Sequence, residues 1–465
     1  MALNVVIMAA GKGTRMKSAV PKVLHRLGAQ SLLQHVLGAA AGCGADRTVV
    51  ITGHGAAAVE AAARQACPGA VFARQEPQLG TGHAAQQAVP ALDPANPVTL
   101  ILNGDVPLLR TETARALVQA SGGEKLALLT IELADASGYG RIVRQQQGLP
   151  GQPAGAAVQA IVEHKDATPA QRAIREVYTG IMAAPTAALV RWLAALRDDN
   201  AQREYYLTDV VALAVAEGVP VVTASAPDET EVLGVNSPRQ LADLERRFQR
   251  QQAEALMEAG VRLADPARLD VRGVLTCGRD VEIDIGCVFE GEVHLGDEVH
   301  VGAHCVVRNA RIAAGTVVQP FSHIDGAVVG AGSRIGPYAR LRPGAVLAEE
   351  VHIGNFVEVK NATLARGAKA NHLAYLGDAT LGERVNFGAG SITANYDGVN
   401  KHHTTIGRDV LVGSNCVLIA PVTLGDGATI GGGSTISRDA PAGQLTMARA
   451  RQGSIAGWQR PQKKT

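Results

Sequence analysis

The sequence predicts two architectures in one chain of 465 residues. The first is a doubly wound α/β (Rossmann-like) domain; a helix follows, and then a parallel β-helix of hexapeptide repeats. Three observations predict them. Short, continuously aliphatic runs alternate with helical patterns through the first half, as buried parallel strands and their crossover helices require. Aliphatic residues recur about every six positions through the second half. Glycine also changes density: 22 of the 52 glycines lie in residues 1–259 and 30 in the shorter stretch 260–465, while Phe, Trp and Tyr together make up only 3% of the chain. Many tight turns around a narrow aliphatic core account for both.

In chain order, Asn4–Met8, Arg47–Thr52, Val98–Leu102 and Lys125–Ile131 read as strands buried on both faces. Ser31–Ala41, Ala56–Gln65 and Glu112–Ala120 read as the helices between them. Ligands of such sheets bind beyond the carboxyl ends of the strands. Ser237-Pro238 then opens a long helix, with a cap oxygen, proline at the first helical position and Gln240 completing a capping box. Leu241, Leu244 and Phe248 give it an apolar face and Gly260 ends it. At about 1.5 Å per residue this linker, residues 238–259, makes a rod of roughly 33 Å. It divides the chain into domains 1–237 and 260–465.

The repeat runs through Ile283, Phe289, Leu295, Val301, Val307, Ile312, Val318, Ile324, Val329, Ile335, Leu341, Leu347, Ile353, Val359 and Leu364, and glycine follows several of these positions. Each side of a triangular coil would be one short strand with its aliphatic residue inward, a prism too narrow for a large ring at every site. From Thr393 to Ile406 the period fails, which predicts an extruded loop; insertions in repeat folds project from one face and often belong to a binding site.

Composition excludes several classes. Lys+Arg (44) and Asp+Glu (43) nearly cancel, which argues against a generally basic nucleic-acid binder. No run of about 18 apolar residues predicts a membrane span. Leu3–Ala10 is short and lacks a basic leader, so it reads as a strand rather than a signal peptide. The six cysteines form no CxxC pair and no histidine cluster has zinc spacing; free thiols in a reducing cytoplasm are expected.

The chemistry of the first domain starts at Ala9-Ala10-Gly11-Lys12-Gly13-Thr14-Arg15-Met16. This loop matches neither a Walker A motif nor a dinucleotide fingerprint. It reads either as a phosphate-cradling loop helped by Arg15 and Lys22 or as a structural glycine turn. Asp105, in Asn103-Gly104-Asp105 at a strand end, is either a Mg²⁺ ligand or a helix cap. Gln78–His83, Gly138-Tyr139-Gly140-Arg141, Glu163-His164-Lys165 and Gly234-Val235-Asn236 are further polar clusters near expected strand ends.

Taken in order, GKGTRM with Pro21-Lys22, then LGTGHA, NGDVPL, GYGRI, IVEHKDAT and GVN, resemble a bacterial family of bifunctional enzymes. Its members join an N-acetylglucosamine-1-phosphate uridyltransferase to a glucosamine-1-phosphate N-acetyltransferase, and the resemblance covers essentially the whole chain. It implies a nucleotidyltransferase domain followed by a left-handed parallel β-helix, and a cytoplasmic homotrimer. The implied substrates are UTP, acetyl-CoA, glucosamine-1-phosphate and N-acetylglucosamine-1-phosphate, with Mg²⁺ as cofactor. The product would be UDP-N-acetylglucosamine, a precursor for peptidoglycan and lipopolysaccharide. By the resemblance, Met8, Ala9, Ala10 and Gly11 hold the uridine nucleotide, and Gln75, Gly80 and Thr81 surround the uracil. Arg15 and Lys22 neutralise phosphate charge. Asn103 and Gly104 adjoin the nucleotide, Asp105 and Asn236 carry Mg²⁺, and Gly140, Glu163 and the Tyr178 position meet the sugar. Tyr178 stands where the family usually has Asn, and Asn103 where some relatives carry Tyr. Attack of a sugar phosphate on the α-phosphate of UTP brings anions together, so the step needs cations and positioning more than a protein base.

In the second domain the resemblance makes His372 the general base on the 2-amino group of glucosamine-1-phosphate. Arg342 and Lys360 would bind the sugar phosphate, and Tyr375 and Asn386 the sugar. Ala389, Asn395, Tyr396, Ser414, Gly432 and Arg449 would meet acetyl-CoA; Gly432 replaces the family's usual Ala. The Thr393–Ile406 insertion would complete a neighbouring subunit's site. The basic tail Gln459–Thr465, with Lys463 and Lys464, would reach toward a phosphate. The alternative is a single-activity sugar-nucleotide pyrophosphorylase whose β-helix is a trimerising scaffold; such relatives have shorter helices and lack the His372-to-Tyr375 constellation. A non-catalytic assembly protein has no use for Arg15, Lys22 and Asp105 together.

Overall fold

A computed structural model describes residues 1–145 and 157–463. The chain divides into two compact units, Met1–Phe248 and Gln249–Thr465.

In the first unit seven strands form the main sheet, in the order Val221–Ser225, Leu126–Glu132, Glu176–Pro185, Val98–Asn103, Leu3–Met8, Arg47–Thr52 and Val71–Arg74. The four expected strands occur within a residue of their expected bounds, and helices Leu32–Gly42, Ala56–Ala66 and Thr111–Ser121 lie between them in sequence as expected. Ser31 caps the first of these in a capping box with Gln34. Alternate residues of one strand enter different cores: Val5 and Ile7 pack with Leu33, Leu37 and Leu117, whereas Val6 packs with Ala85, Leu189 and Trp192. Helices therefore cover both faces, which is why the strands read as continuous aliphatic runs.

The sheet is mixed rather than wholly parallel. Glu176–Pro185 runs antiparallel to both of its neighbours in the main sheet. Between Glu132 and Glu176 the chain makes an antiparallel pair, Gly140–Arg144 with Val158–Val162, rather than a single crossover helix, so the next strand enters the sheet from the other end.

The helix Pro238–Glu258 starts where expected, with Ser237 Oγ accepting from the Gln240 amide at 3.3 Å. Its Leu244 is buried with Met16, Leu27 and Val235 in the first unit. In the second unit Gln249 is buried, and its side chain both accepts from the Val271 amide (2.7 Å) and donates to the Val271 carbonyl (3.0 Å), as a neighbouring strand would.

The second unit is a parallel β-helix. Two long ladders of short parallel strands run its length, one of eleven strands and one of fourteen. Glu282 pairs with His300 and Arg334 with His352, so three hexapeptides make one coil. Every repeat position named above, from Ile283 to Leu364, is at most 2% exposed. A second inward row, two residues earlier in each repeat, was not foreseen. It is filled by small residues such as Cys287, Cys305, Ala310, Thr316, Ser333, Ala345, Ser391 and Cys416, all buried. Their polar atoms donate to carbonyls of the adjacent coil, as Cys305 Sγ does to Gln319 (3.2 Å) and Ser391 Oγ to Gly413 (2.7 Å). Burial pushes the Cys287 thiol up to about 11 and the Cys305 thiol to about 12. The insertion is narrower than expected: Ile392–Ala394 and Thr404–Ile406 are strands, and only residues 395–403 leave the coil. Lys464 and Thr465 lie outside the described residues.

Candidate functional site

In the first unit the expected residues gather at the carboxyl ends of the central strands, in two adjoining clefts of about 530 and 320 Å³. The larger is lined by Met8 to Gly11, Lys22, Gln75, Gly80 and Thr81; the smaller by Arg15, Gly140, Glu163, Tyr178 and Asn236. Asn103 and Asp105 line both. Gly104 binds the strand end, its amide donating to the Met8 carbonyl at 3.0 Å.

At the junction Lys22 Nζ lies 2.5 Å from Asp105 Oδ2 and 3.1 Å from Asn236 Oδ1. Two oxygen atoms, one just past the strand Val98–Asn103 and one just before the helix Pro238–Glu258, thus converge on one cation. Gly13 permits this: it sits at φ 59°, and a Cβ there would come 2.7 Å from Lys22 Cβ. Among the described residues no group of three or more His, Cys, Asp or Glu side chains forms a metal cage. A pair of oxygen ligands completed by phosphates and water is how Mg²⁺ is usually held, so the donor set fits that ion.

Residues along one side of the larger cleft are fixed by polar contacts. Gln75 Nε2 donates to the Gly80 carbonyl at 2.9 Å, Gln78 Nε2 donates to the Ala10 carbonyl, and Thr81 Oγ1 accepts from the Leu207 amide at 3.0 Å. Gln78 was noted only as part of its loop in the sequence. On the other side Glu163 accepts from Thr208 Oγ1 at 3.1 Å; burial, with Asp209 and Asp166 nearby, holds its carboxyl above the ordinary range. Tyr178 is buried, and its hydroxyl has no partner among the described residues.

In the second unit His372, Ala389, Ser414, Gly432 and Arg449 share one corner of the prism. Backbone bonds run from Leu373 N to the Asn355 carbonyl (3.0 Å), Gly390 N to His372 (3.1 Å), Asn415 N to Ala389 (2.8 Å) and Gly433 N to Ser414 (2.8 Å). Asn355, His372, Ala389, Ser414 and Gly432 therefore stand in a row on successive coils. Arg449 Nη1 joins the row at the Gly432 carbonyl (2.8 Å).

A parallel row of left-handed residues flanks this corner. His304, Phe321, Tyr338 and Phe356 stack on one another with ring centroids 5.0–5.3 Å apart, and all four have positive φ. At the His372 coil the stack ends in Leu373, and beyond it the equivalent position is Gly390. The ring stack thus stops before the Ala389 coil.

His372 is exposed, and its Nδ1 lies 2.7 Å from Asn355 Oδ1. With the amide oxygen accepting, the ring proton sits on Nδ1 and the Nε2 lone pair faces out. Asn355 was missed in the sequence; its place three hexapeptides before His372 was the available signal.

Around the corner, Arg342 Nη1 donates to Glu358 Oε1 at 2.8 Å, and Lys360 Nζ lies 3.9 Å from Asp378 Oδ2. Gly377 leaves room for the Tyr375 phenol, whose oxygen would lie 2.3 Å from a Cβ at that position. Lys401, also missed, reaches from the loop to Lys360, and the two ammonium groups together hold the Lys401 pKa below its ordinary value. These cations and Tyr375 form a place for an anion. Asn386 is exposed on the neighbouring face, where it pairs with Lys369 and Leu411. Asn395 is buried with its amide committed to Asp378, while Tyr396 stands exposed with its hydroxyl on the Gly398 carbonyl.

Comparison with known proteins agrees with this division. The MobA-like NTP transferase domain model matches residues 5–181, the GMPPB C-terminal domain model residues 271–370, and six repeats of the bacterial transferase hexapeptide residues 403–438. The Bifunctional protein GlmU of Methylibium petroleiphilum is 73% identical over 99% of this chain and 100% of its own length. The chain belongs to the bifunctional GlmU family. The GlmU protein of Paracidovorax citrulli is 63% identical, with 99% of both chains covered. In this family a nucleotidyltransferase domain is joined to a hexapeptide acyltransferase domain. No helix among the described residues is long and apolar enough to cross a membrane.

Proposed function

We propose that the chain makes UDP-N-acetylglucosamine by two reactions. The second unit transfers the acetyl group of acetyl-CoA to glucosamine-1-phosphate. The first unit then transfers UMP from UTP to the resulting N-acetylglucosamine-1-phosphate and releases pyrophosphate. The observation that carries this reading is the oriented imidazole of His372, at the foot of the row that continues through Ala389, Ser414 and Gly432; a scaffold needs no such group.

In acetyl transfer His372 Nε2 takes a proton from the 2-ammonium group of the sugar, and the free amine attacks the thioester carbonyl. The tetrahedral adduct loses its second nitrogen proton and breaks its C–S bond, CoA leaving as a thiolate that takes up a proton to become the free thiol. Asn355 holds the tautomer. Arg342, Lys360 and Lys401 bind the sugar phosphate, and Tyr375 and Asn386 the sugar. Acetyl-CoA follows the corner past Ala389, Ser414 and Gly432 toward Arg449, with Asn395 and Tyr396 flanking it.

In uridylyl transfer Met8 to Gly11 and Asn103-Gly104 cradle the nucleotide, and Gln75, Gly80 and Thr81 read the uracil. Arg15 and Lys22 screen phosphate charge, while Gly140, Glu163 and Tyr178 line the sugar subsite. Asp105 and Asn236 would hold Mg²⁺, which when bound supplies charge for the triphosphate and the developing pyrophosphate. The remaining work of these residues is alignment of the two anions. We further propose that 1–237 and 260–465 are the functional domains, that the β-helix forms a homotrimer whose 395–403 loops complete neighbouring sites, and that the enzyme is cytoplasmic.

One assay tests the pair of reactions: glucosamine-1-phosphate, acetyl-CoA, UTP and Mg²⁺, with free thiol and pyrophosphate followed together. His372→Ala should abolish thiol release yet leave uridylylation of supplied N-acetylglucosamine-1-phosphate. Asp105→Ala should do the reverse. Acetylation by His372→Ala at the unmodified rate would remove the base assignment.

A further inference from the structure

Arg141 is fully buried (2% exposed), yet it forms no ion pair with any described residue. Its Nη1 donates to the Tyr139 carbonyl at 2.5 Å, its Nη2 faces His164 Nδ1 at 3.4 Å, and its Nε has no partner. A buried guanidinium left without an anion is expensive, so a fold keeps one only where its contacts matter. These contacts join two turns. Tyr139 precedes Gly140 in one, and His164 follows Glu163 in the other; Gly140 and Glu163 line the same cleft. The turns are closely apposed there, since a Cβ on Gly140 would lie 2.7 Å from Ile161 Cγ2 and 3.7 Å from Glu163 Oε1.

We propose that Arg141 and His164 are a positioning clamp that fixes Gly140 and Glu163 for the sugar phosphate; this rests on the assignment of that cleft to the sugar. Arginine has no acceptor, so His164 Nδ1 must accept and the imidazole must be neutral in the clamped state. A proton on Nδ1 would place a second cation against the buried guanidinium and open the clamp. The charged groups facing His164 are Arg141 from the hairpin strand and Asp135 from the preceding turn, whose carboxyl is held below its ordinary range chiefly by its hydrogen bonds from Ser137, with the Arg141 guanidinium adding to the effect. On its own turn it has Glu163, Lys165 and Asp166.

The test compares His164→Leu, which removes the acceptor, with His164→Asn, which keeps an oxygen acceptor and cannot be protonated. Pyrophosphate release is measured between pH 5.5 and 8, and thiol release by the second unit serves as a control. His164→Leu should raise KM for the sugar phosphate about tenfold, the worth of one charged hydrogen bond, and leave KM for UTP and acetyl transfer unchanged. His164→Asn should match the unmodified enzyme at pH 8 and lack its rise in sugar KM on acidification. An unchanged sugar KM in His164→Leu, or the same acid-side rise in His164→Asn, would overturn the clamp. Equal increases in both KM values would also overturn it, because they indicate general distortion. Failure of the unmodified enzyme to release pyrophosphate from UTP with the sugar phosphate would instead remove the functional reading itself.

Discussion

Asn355 is the residue whose replacement tests the acetyl-transfer site most sharply. Its amide oxygen is the acceptor for His372 Nδ1 at 2.7 Å. In the ground state that contact is a neutral hydrogen bond, worth about 0.5–1.5 kcal/mol. When Nε2 takes the substrate proton the ring becomes a cation, and the same contact becomes charge-assisted, worth about 1.5–3 kcal/mol. Only the difference, about 1–1.5 kcal/mol, acts on the rate. Asn355→Leu should therefore lower kcat for acetyl transfer roughly tenfold. The Asn355 backbone carbonyl, which accepts from Leu373 N, is untouched by the change. Thiol release at saturating acetyl-CoA reads the effect, and pyrophosphate release serves as the internal control. A kcat within twofold of the unmodified enzyme would refute the reasoning, because the imidazole would then be oriented by something else.

Four further outcomes are expected. Gly13→Ala places a Cβ 2.7 Å from Lys22 Cβ at φ 59°, so uridylyl transfer should fall while acetyl transfer persists, read from the same two assays. Leu341→Ala, at a fully buried repeat position, should cost about 2–5 kcal/mol of stability, measured by denaturant unfolding of the chain. Glu163→Gln should raise the melting temperature at neutral pH. Burial holds this carboxyl above its ordinary range, so its ionisation destabilises the folded state as pH rises from the unfolded value through the folded one; the advantage of the variant should vanish on acidification below that window. Cys287 and Cys305, pushed to about 11 and 12, should resist alkylation at pH 8 in the folded protein and react on unfolding, as peptide mass spectrometry would detect.

What was legible in the sequence depended on periodicity and on order. Strands such as Arg47–Thr52 have one environment along their whole length, and the hexapeptide positions repeat it coil after coil, so local pattern reported them faithfully. The inner row of Cys, Ala, Ser and Thr was invisible because small residues carry little hydrophobic signal, although their shared position two residues before each aliphatic site would have disclosed it. The antiparallel course of Glu176–Pro185 was hidden because burial on two faces looks the same in either direction. In the sites, residues in distinctive strings, such as Asp105 and His372, could be named in advance. Asn355, Lys401 and the Arg141–His164 contact could not, since each acts across a coil or a hairpin on a residue far away in sequence.

The corner row of the β-helix is, in effect, a ruler. Adjacent coils are held by backbone hydrogen bonds at about 4.8 Å, so His372 to Gly432 spans three fixed steps, about 14 Å, whatever the side chains. On the proposed assignment, acetyl-CoA touching both ends spans that interval with its thioester at the imidazole. Inserting one coil between Ala389 and Ser414 would lengthen the interval by a step and part thioester from amine without disturbing the fold. Inserting one below the Asn355 coil would leave the interval intact. The solenoid can thus change length on one side of its chemistry and not on the other.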